Sequence, residues 1–182
     1  MNRYLLFILF AVSMVVFEGC TTTLTKGADR RTPGAFLEDS TIEETAVRRI
    51  KTKYSDRVHI IVTSYNRKVL VTGEAEDDTL QSDITRIIGG VQNVTAIDNQ
   101  MVIGPLASLS SRSGDTLTTY NVNLRLRDGG KDFKSDLIKV VTTSDIVYLM
   151  GIVTHAEAEI AKEIARTSRG VKKVVPMFEY ID

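Results

Sequence analysis

The sequence predicts an α+β protein made of two tandem αββαβ sandwiches, each a three-stranded sheet covered on one face by two helices. Three observations carry that reading. Ile60 to Gly73 lies over Ile138 to Gly151 without a gap, so one module is written twice, about 78 residues apart. In each copy a polar turn separates two short apolar strands, and a glycine closes the second strand. Helical spacing follows in both, as Leu80-x3-Ile84 and Ile160-x3-Ile164, and ends in Gly90-Val91-x2-Val94 and Gly170-Val171-x2-Val174.

Residues 1–19 carry the parts of an export signal: a charged start at Met1-Asn2-Arg3, an uncharged and mostly apolar stretch from Tyr4 to Phe17, and Gly19 at the break. The apolar stretch is short for a membrane span. Gly19-Cys20 resembles the lipobox of bacterial lipoproteins, with Phe17 and Glu18 where that box has a leucine-like residue and Ala or Ser. The resemblance implies a diacylated Cys20 as mature N-terminus. Thr21, standing where an aspartate would mark inner-membrane retention, implies delivery to the outer membrane. The other reading of Cys20 is an incidental thiol at the end of an uncleaved anchor. Residues 20–39, rich in Thr, Gly, Arg and Asp, read as a tether.

The first module spans 40–103. Ser40 with Glu43, or Thr41 with Glu44, has capping-box spacing, and Ile42, Ala46, Val47, Ile50 and Tyr54 then share one helical face. Strands follow at Val58 to Thr63 and Lys68 to Thr72. Asp77-Asp78 suits the start of a helix from Thr79 to Ile88, where carboxylates meet free amides. Gly89-Gly90 is the expected stop, in the left-handed conformation glycine permits. Val91 to Ile103 supplies the last strand.

Residues 104–114 read as a linker by their Gly, Pro and Ser content. The second module, 115–182, repeats the order: a helix from Asp115 or Thr116, strands at Leu137 to Thr142 and Ile146 to Met150, and a helix from Thr154 whose Thr154-x2-Glu157 is a further capping box. Gly170 is its expected stop. Pro176 assigns the final strand, Val174 to Ile181, to an edge, a bulge or a strand start.

The αββαβ order, the Val69-Leu70-Val71-Thr72-Gly73 and Val147-Tyr148-Leu149-Met150-Gly151 strands and the paired Gly-Val-x-x-Val segments resemble the BON domain. Two such domains behind a lipid-modified cysteine are similar to the dual-BON outer-membrane lipoproteins of Gram-negative bacteria. That resemblance implies a periplasm-facing, non-enzymatic protein with no cofactor, which binds anionic phospholipid chiefly through its second domain and supports outer-membrane integrity, also at division sites.

The residues themselves point to the helix from Thr116 to Arg127. Val122 and Leu126 form one stripe on a helical wheel, and Leu117, Tyr120 and Leu124 form another roughly opposite. One side packs on the sheet and the other is open to lipid or protein, with Arg125 and Arg127 beside it to hold phosphate oxygens. Two other readings stand: Tyr120, Val122, Leu124 and Leu126 also alternate as a strand does, and the second stripe equally suits the contact between the copies. An envelope protein, an outer-membrane assembly or peptidoglycan-remodelling component, is the alternative partner.

Lys plus Arg and Asp plus Glu balance at 23 each, with no basic block, which argues against a nucleic-acid partner. One cysteine excludes an internal disulfide and a multi-cysteine metal site. His59 and His155 sit at a strand start and in a helix's first turn. No nucleophile, metal set or phosphate loop stands out, so neither an enzyme nor a small-molecule substrate is expected.

Overall fold

A computed structural model describes residues 29–129 and 133–182. Its first helix, α1, runs Pro33–Tyr54 and so begins ahead of Ser40. Thr32 is the cap: its Oγ1 accepts from the Ala35 N–H at 3.1 Å, and Pro33, which has no N–H to satisfy, opens the first turn. Ser40 and Thr41 are helix-interior residues whose hydroxyls donate one turn back, to the Phe36 and Leu37 carbonyls, so the expected capping box does not form there.

Strands β1 (His59–Tyr65) and β2 (Lys68–Ala75) make an antiparallel hairpin closed at Tyr65↔Lys68. Its turn residues Asn66 and Arg67 have φ of 51° and 66°, which matches the right-handed twist of the flanking strands. Helix α2 (Asp78–Gly89) is capped by Asp77, which accepts from the Leu80 N–H at 2.8 Å, as the sequence predicts. Gly90 closes it, but at φ −85° and not in the left-handed region; its N–H is shared between the Arg86 and Ile87 carbonyls and tightens the last turn. Two short strands, β3 (Ala96–Asn99) and β4 (Val102–Ile103), then lie parallel to successive parts of β2.

Helix α3 (Leu109–Arg127) starts inside the segment expected as linker. Ser108 caps it, accepting from the Ser111 N–H at 3.1 Å. Strands β5 (Lys139–Thr143) and β6 (Ile146–Val153) repeat the hairpin, with Ser144 and Asp145 at φ of 53° and 63°. Helix α4 (His155–Arg166) carries the predicted Thr154/Glu157 capping box. It ends before Gly170, whose φ of 90° belongs to the following turn; a Cβ there would stand 2.3 Å from Thr118 Oγ1, so this glycine lets the turn close on α3. Strand β7 (Lys173–Tyr180) pairs parallel with β6 at the sheet edge, where Pro176 is tolerated.

Both hairpins are held by a buried carboxylate from the preceding helix. Asp39 on α1 accepts from the Asn66 and Arg67 N–H groups at 2.8 and 2.7 Å, from Ser64 Oγ at 2.6 Å and from Arg31 Nη1 at 2.9 Å. Asp115 on α3 accepts from the Ser144 and Asp145 N–H groups, each at 2.9 Å. Helix and turn are thereby fixed to one another before any apolar packing is counted.

Alternation along the strands separates two faces. Val69, Val71, Val147 and Leu149 point to the helices and join the cores under α1/α2 and α3/α4. Leu70, Tyr148 and Met150 point the other way and meet, with Tyr65 and Val141, in a third core between the sheets. The layers therefore run helix, sheet, sheet, helix. Burying such side chains contributes roughly 1.5–3 kcal/mol each, and five of them rival the net stability of a small domain. Thr143 Oγ1 donates to Thr72 Oγ1 at 2.8 Å in the middle of this contact.

The chain just before α1 fastens both copies. Arg30 makes two bonds to Glu157, at 2.6 and 2.9 Å, and a third to the Ile152 carbonyl, while Arg31 bridges Asp29 and Asp39 and stacks over Tyr65. The Arg30 hydrogen bonds hold the Glu157 carboxyl down to about 2. Burial pushes the Tyr65 hydroxyl up to about 12.

Candidate functional site

α3 is a helix along its whole length, which disposes of the strand reading. It continues through Ser110-Ser111-Arg112-Ser113-Gly114, a run of weak helix formers, because Ser108 caps its start and its inner face is anchored by Asp115, Thr118, Val122 and Leu126. Thr119 Oγ1 adds a bond to Thr142 Oγ1 on β5 at 2.7 Å.

The opposite face carries the second stripe. Leu117 is 63% exposed, Tyr120 59% and Leu124 39%, and Leu109 at the helix start extends the same line. At 100° per residue these four fall within about 80° of the wheel. The copies meet through their sheets, so the stripe does not seal the contact between them. Between the apolar side chains, Ser113 Oγ donates to the Leu109 carbonyl at 2.9 Å and Thr116 Oγ1 to the Arg112 carbonyl at 3.0 Å. Those hydroxyls are already satisfied within the helix, which lowers the cost of taking the face out of water.

The two arginines divide. Arg127 lies on the wheel beside Leu109 and Tyr120 and is exposed. Arg125 turns away: its Nη1 donates to the Ile164 carbonyl at 3.1 Å and to Ser168 Oγ at 3.0 Å, so it secures the end of α4 and is not gathered with the stripe. Free carbonyls in the last turn of a helix attract cations, which is why an arginine one position off the stripe is recruited there. The remaining expectation, acylation at Cys20, falls outside the described residues.

His59 Nδ1 lies 2.9 Å from Glu74 Oε2, and His155 pairs with Asp182 while stacking on Tyr180 at 4.1 Å between ring centroids. Among the described residues no group of His, Cys, Asp and Glu has metal-binding geometry, and no helix is long and apolar enough to cross a membrane.

The BON domain model matches residues 38–105 and again 115–182. Over 180 residues the chain is 30% identical to the outer membrane lipoprotein DolP of Haemophilus influenzae, covering 92% of each. It is 28% identical to a 21 kDa hemolysin of Actinobacillus pleuropneumoniae over 86% of this chain and 81% of that one. A solved structure of CdsD, a structural protein of the type III secretion system of Chlamydia trachomatis, aligns with 80% of this chain and 92% of its own at 10% identity and a TM-score of 0.31.

Proposed function

The chain belongs to the BON-domain family, as a two-domain outer membrane lipoprotein related to DolP, and on that premise we propose that α3 of the second domain docks on anionic phospholipid. In this reading Cys20 carries the acyl anchor, the body faces the periplasm, and docking supports the integrity of the outer membrane, including at division sites.

The observation that carries the reading is the stripe of Leu109, Leu117, Tyr120 and Leu124, left exposed because the two sheets, and not this helix, join the copies. A helix with such a face lies in the plane of the membrane interface, leucines toward the acyl chains and the tyrosine ring at headgroup depth. Arg127 would meet a lipid phosphate, an attraction of roughly 1 kcal/mol per basic residue near an anionic surface. The acyl chains at Cys20 then hold the body near the bilayer, and the α3 face sets which side of it touches.

The test is flotation of the full chain with Cys20→Ser, so that no acyl group contributes, on vesicles with and without phosphatidylglycerol. An isolated second domain is the wrong probe, since it uncovers Tyr148 and Met150 and would bind lipid through them. Binding to anionic vesicles that weakens with salt and disappears in Leu124→Asp is the expected result. Equal flotation of parent and variant overturns the reading. A parent that ignores vesicles but loses capture of an envelope protein on the same change makes the stripe an adaptor surface instead.

A further inference from the structure

A second site lies at the seam between the copies. Where the edges of β1 and β5 run beside α3, a cleft of about 490 Å³ opens, a volume within the range of small-ligand pockets. Arg112, from the second turn of α3, lines it together with His59, Lys139, Glu43 and Asp115. The Nε of Arg112 is buried and has no hydrogen-bond partner among the described residues. Buried charged donors are almost always satisfied, because leaving one unpaired costs more than a hydrogen bond returns.

The carboxylates lining the cleft have donors of their own, and Lys139 balances the charge of Glu43. Glu43 accepts at Oε1 from both the Ser64 N–H, at 2.8 Å, and Lys139 Nζ, at 2.7 Å. Asp115 accepts from the two hairpin amides. The donor left over is the guanidinium of Arg112; the ring of His59 gives its Nδ1–H to the Glu74 carboxylate, which can only accept. A guanidinium edge takes two oxygens side by side, the geometry in which arginine holds a phosphate.

We propose that this cleft binds a phosphate group, with Arg112 as its principal ligand. The site is separate from the exposed stripe: on the wheel Arg112 and Thr119 lie about 110° to 130° from the centre of Leu117, Tyr120 and Leu124, with Thr116 between. Loss of vesicle docking through Leu124→Asp leaves it intact, so it stands or falls apart from the proposed function.

The experiment is a titration of the full chain with Cys20→Ser, followed by the Arg112 Nε–H resonance and backbone amides in ¹H–¹⁵N spectra. Inorganic phosphate is one arm and glycerophosphoglycerol, a water-soluble phosphodiester headgroup, the other. The expected result is a saturable shift of Arg112 Nε–H and of the Thr63 and Thr116 amides, weakened about tenfold or more in Arg112→Gln and partly restored in Arg112→Lys. Tighter saturation by the diester identifies a lipid headgroup as the source, and equal saturation a free phosphate. Absence of saturation below about 10 mM in both arms, or unchanged amide shifts in a folded Arg112→Gln, overturns the proposal. Should the variant fail to fold, the Arg112 resonance of the parent decides alone.

Discussion

α1 and α3 hold the same place in the duplicated module, and both give their inner face to the core. Their outer faces differ. Along α1 the outer face reads Glu44, Arg48 and Lys51, with a Glu44–Arg48 pair and exposed apolar side chains confined to Phe36 and Leu37 in the first turn. Along α3 it reads Leu109, Leu117, Tyr120 and Leu124 from one end to the other. Two copies under one packing requirement thus separate what the fold needs from what it does not, and an apolar stripe along the whole outer face of the helix occurs in one of them.

The carboxylate clamps offer the strongest way to probe the shared inner role. Asp39→Ala removes four bonds and leaves the largely buried Arg31 with Asp29 alone, so urea unfolding should register a loss of about 4 kcal/mol. Asp115→Ala, with two amide bonds lost, should cost about 2 kcal/mol. Equal costs would mean that Arg31 contributes nothing to the difference between the copies.

The outer faces are separated by a matched pair of charge changes. Leu124→Asp should lower anionic-vesicle binding by about tenfold or more while changing stability by less than about 1 kcal/mol, since the side chain belongs to none of the three cores. Arg48→Asp on α1 should leave vesicle binding within about twofold of the parent. If flotation falls as far with Arg48→Asp as with Leu124→Asp, the contrast between the helices is not a functional one.

The smallest effect concerns the strap before α1. Glu157 titrates at about 2 when folded, below its ordinary value, because Arg30 bonds its charged form. A depressed carboxyl stabilises the folded state above the ordinary value of 4.5, and that contribution is lost as pH falls toward about 2. Melting at pH 6 and pH 3 should show the parent losing about 1 kcal/mol more than Arg30→Ala. Identical losses would deny the strap an ionic role.

Much of this architecture is legible in the chain. Gly73 and Gly151 do not end the second strand of each hairpin but lie inside it, two residues before its end, where a Cβ would meet the His59 and Leu137 carbonyls at 1.9 and 2.5 Å, which is why the glycine recurs in both copies. Asp77 and the Thr154/Glu157 pair mark their helices correctly because capping is local chemistry. The two long helices begin early for a related reason: Thr32-Pro33 and Ser108 are good starts, outweighed on reading by the Thr, Gly and Ser content around them. Asp39 and Asp115 are unreadable as clamps, since their partners lie 27 to 30 residues away. The sheet-to-sheet contact did leave a trace. Val69-Leu70-Val71 and Val147-Tyr148-Leu149-Met150 are apolar at every position, the pattern of a strand buried on both faces. At the site the stripe was visible and the fate of Arg125 was not, because only the fold places the end of α4 beside it.

The strap at Asp29 to Arg31 also has a mechanical meaning. Any pull applied through the chain ahead of it passes Asp29, which is bonded to Arg31 and Tyr65, to Arg30, which is bonded into the second copy at Glu157 and Ile152, and then to Arg31, which is bonded to Asp39 in the first. The load is shared between both halves before it reaches the first turn of α1, so that helix is not peeled from its sheet alone. A body pulled from its N-terminal side would move as one piece.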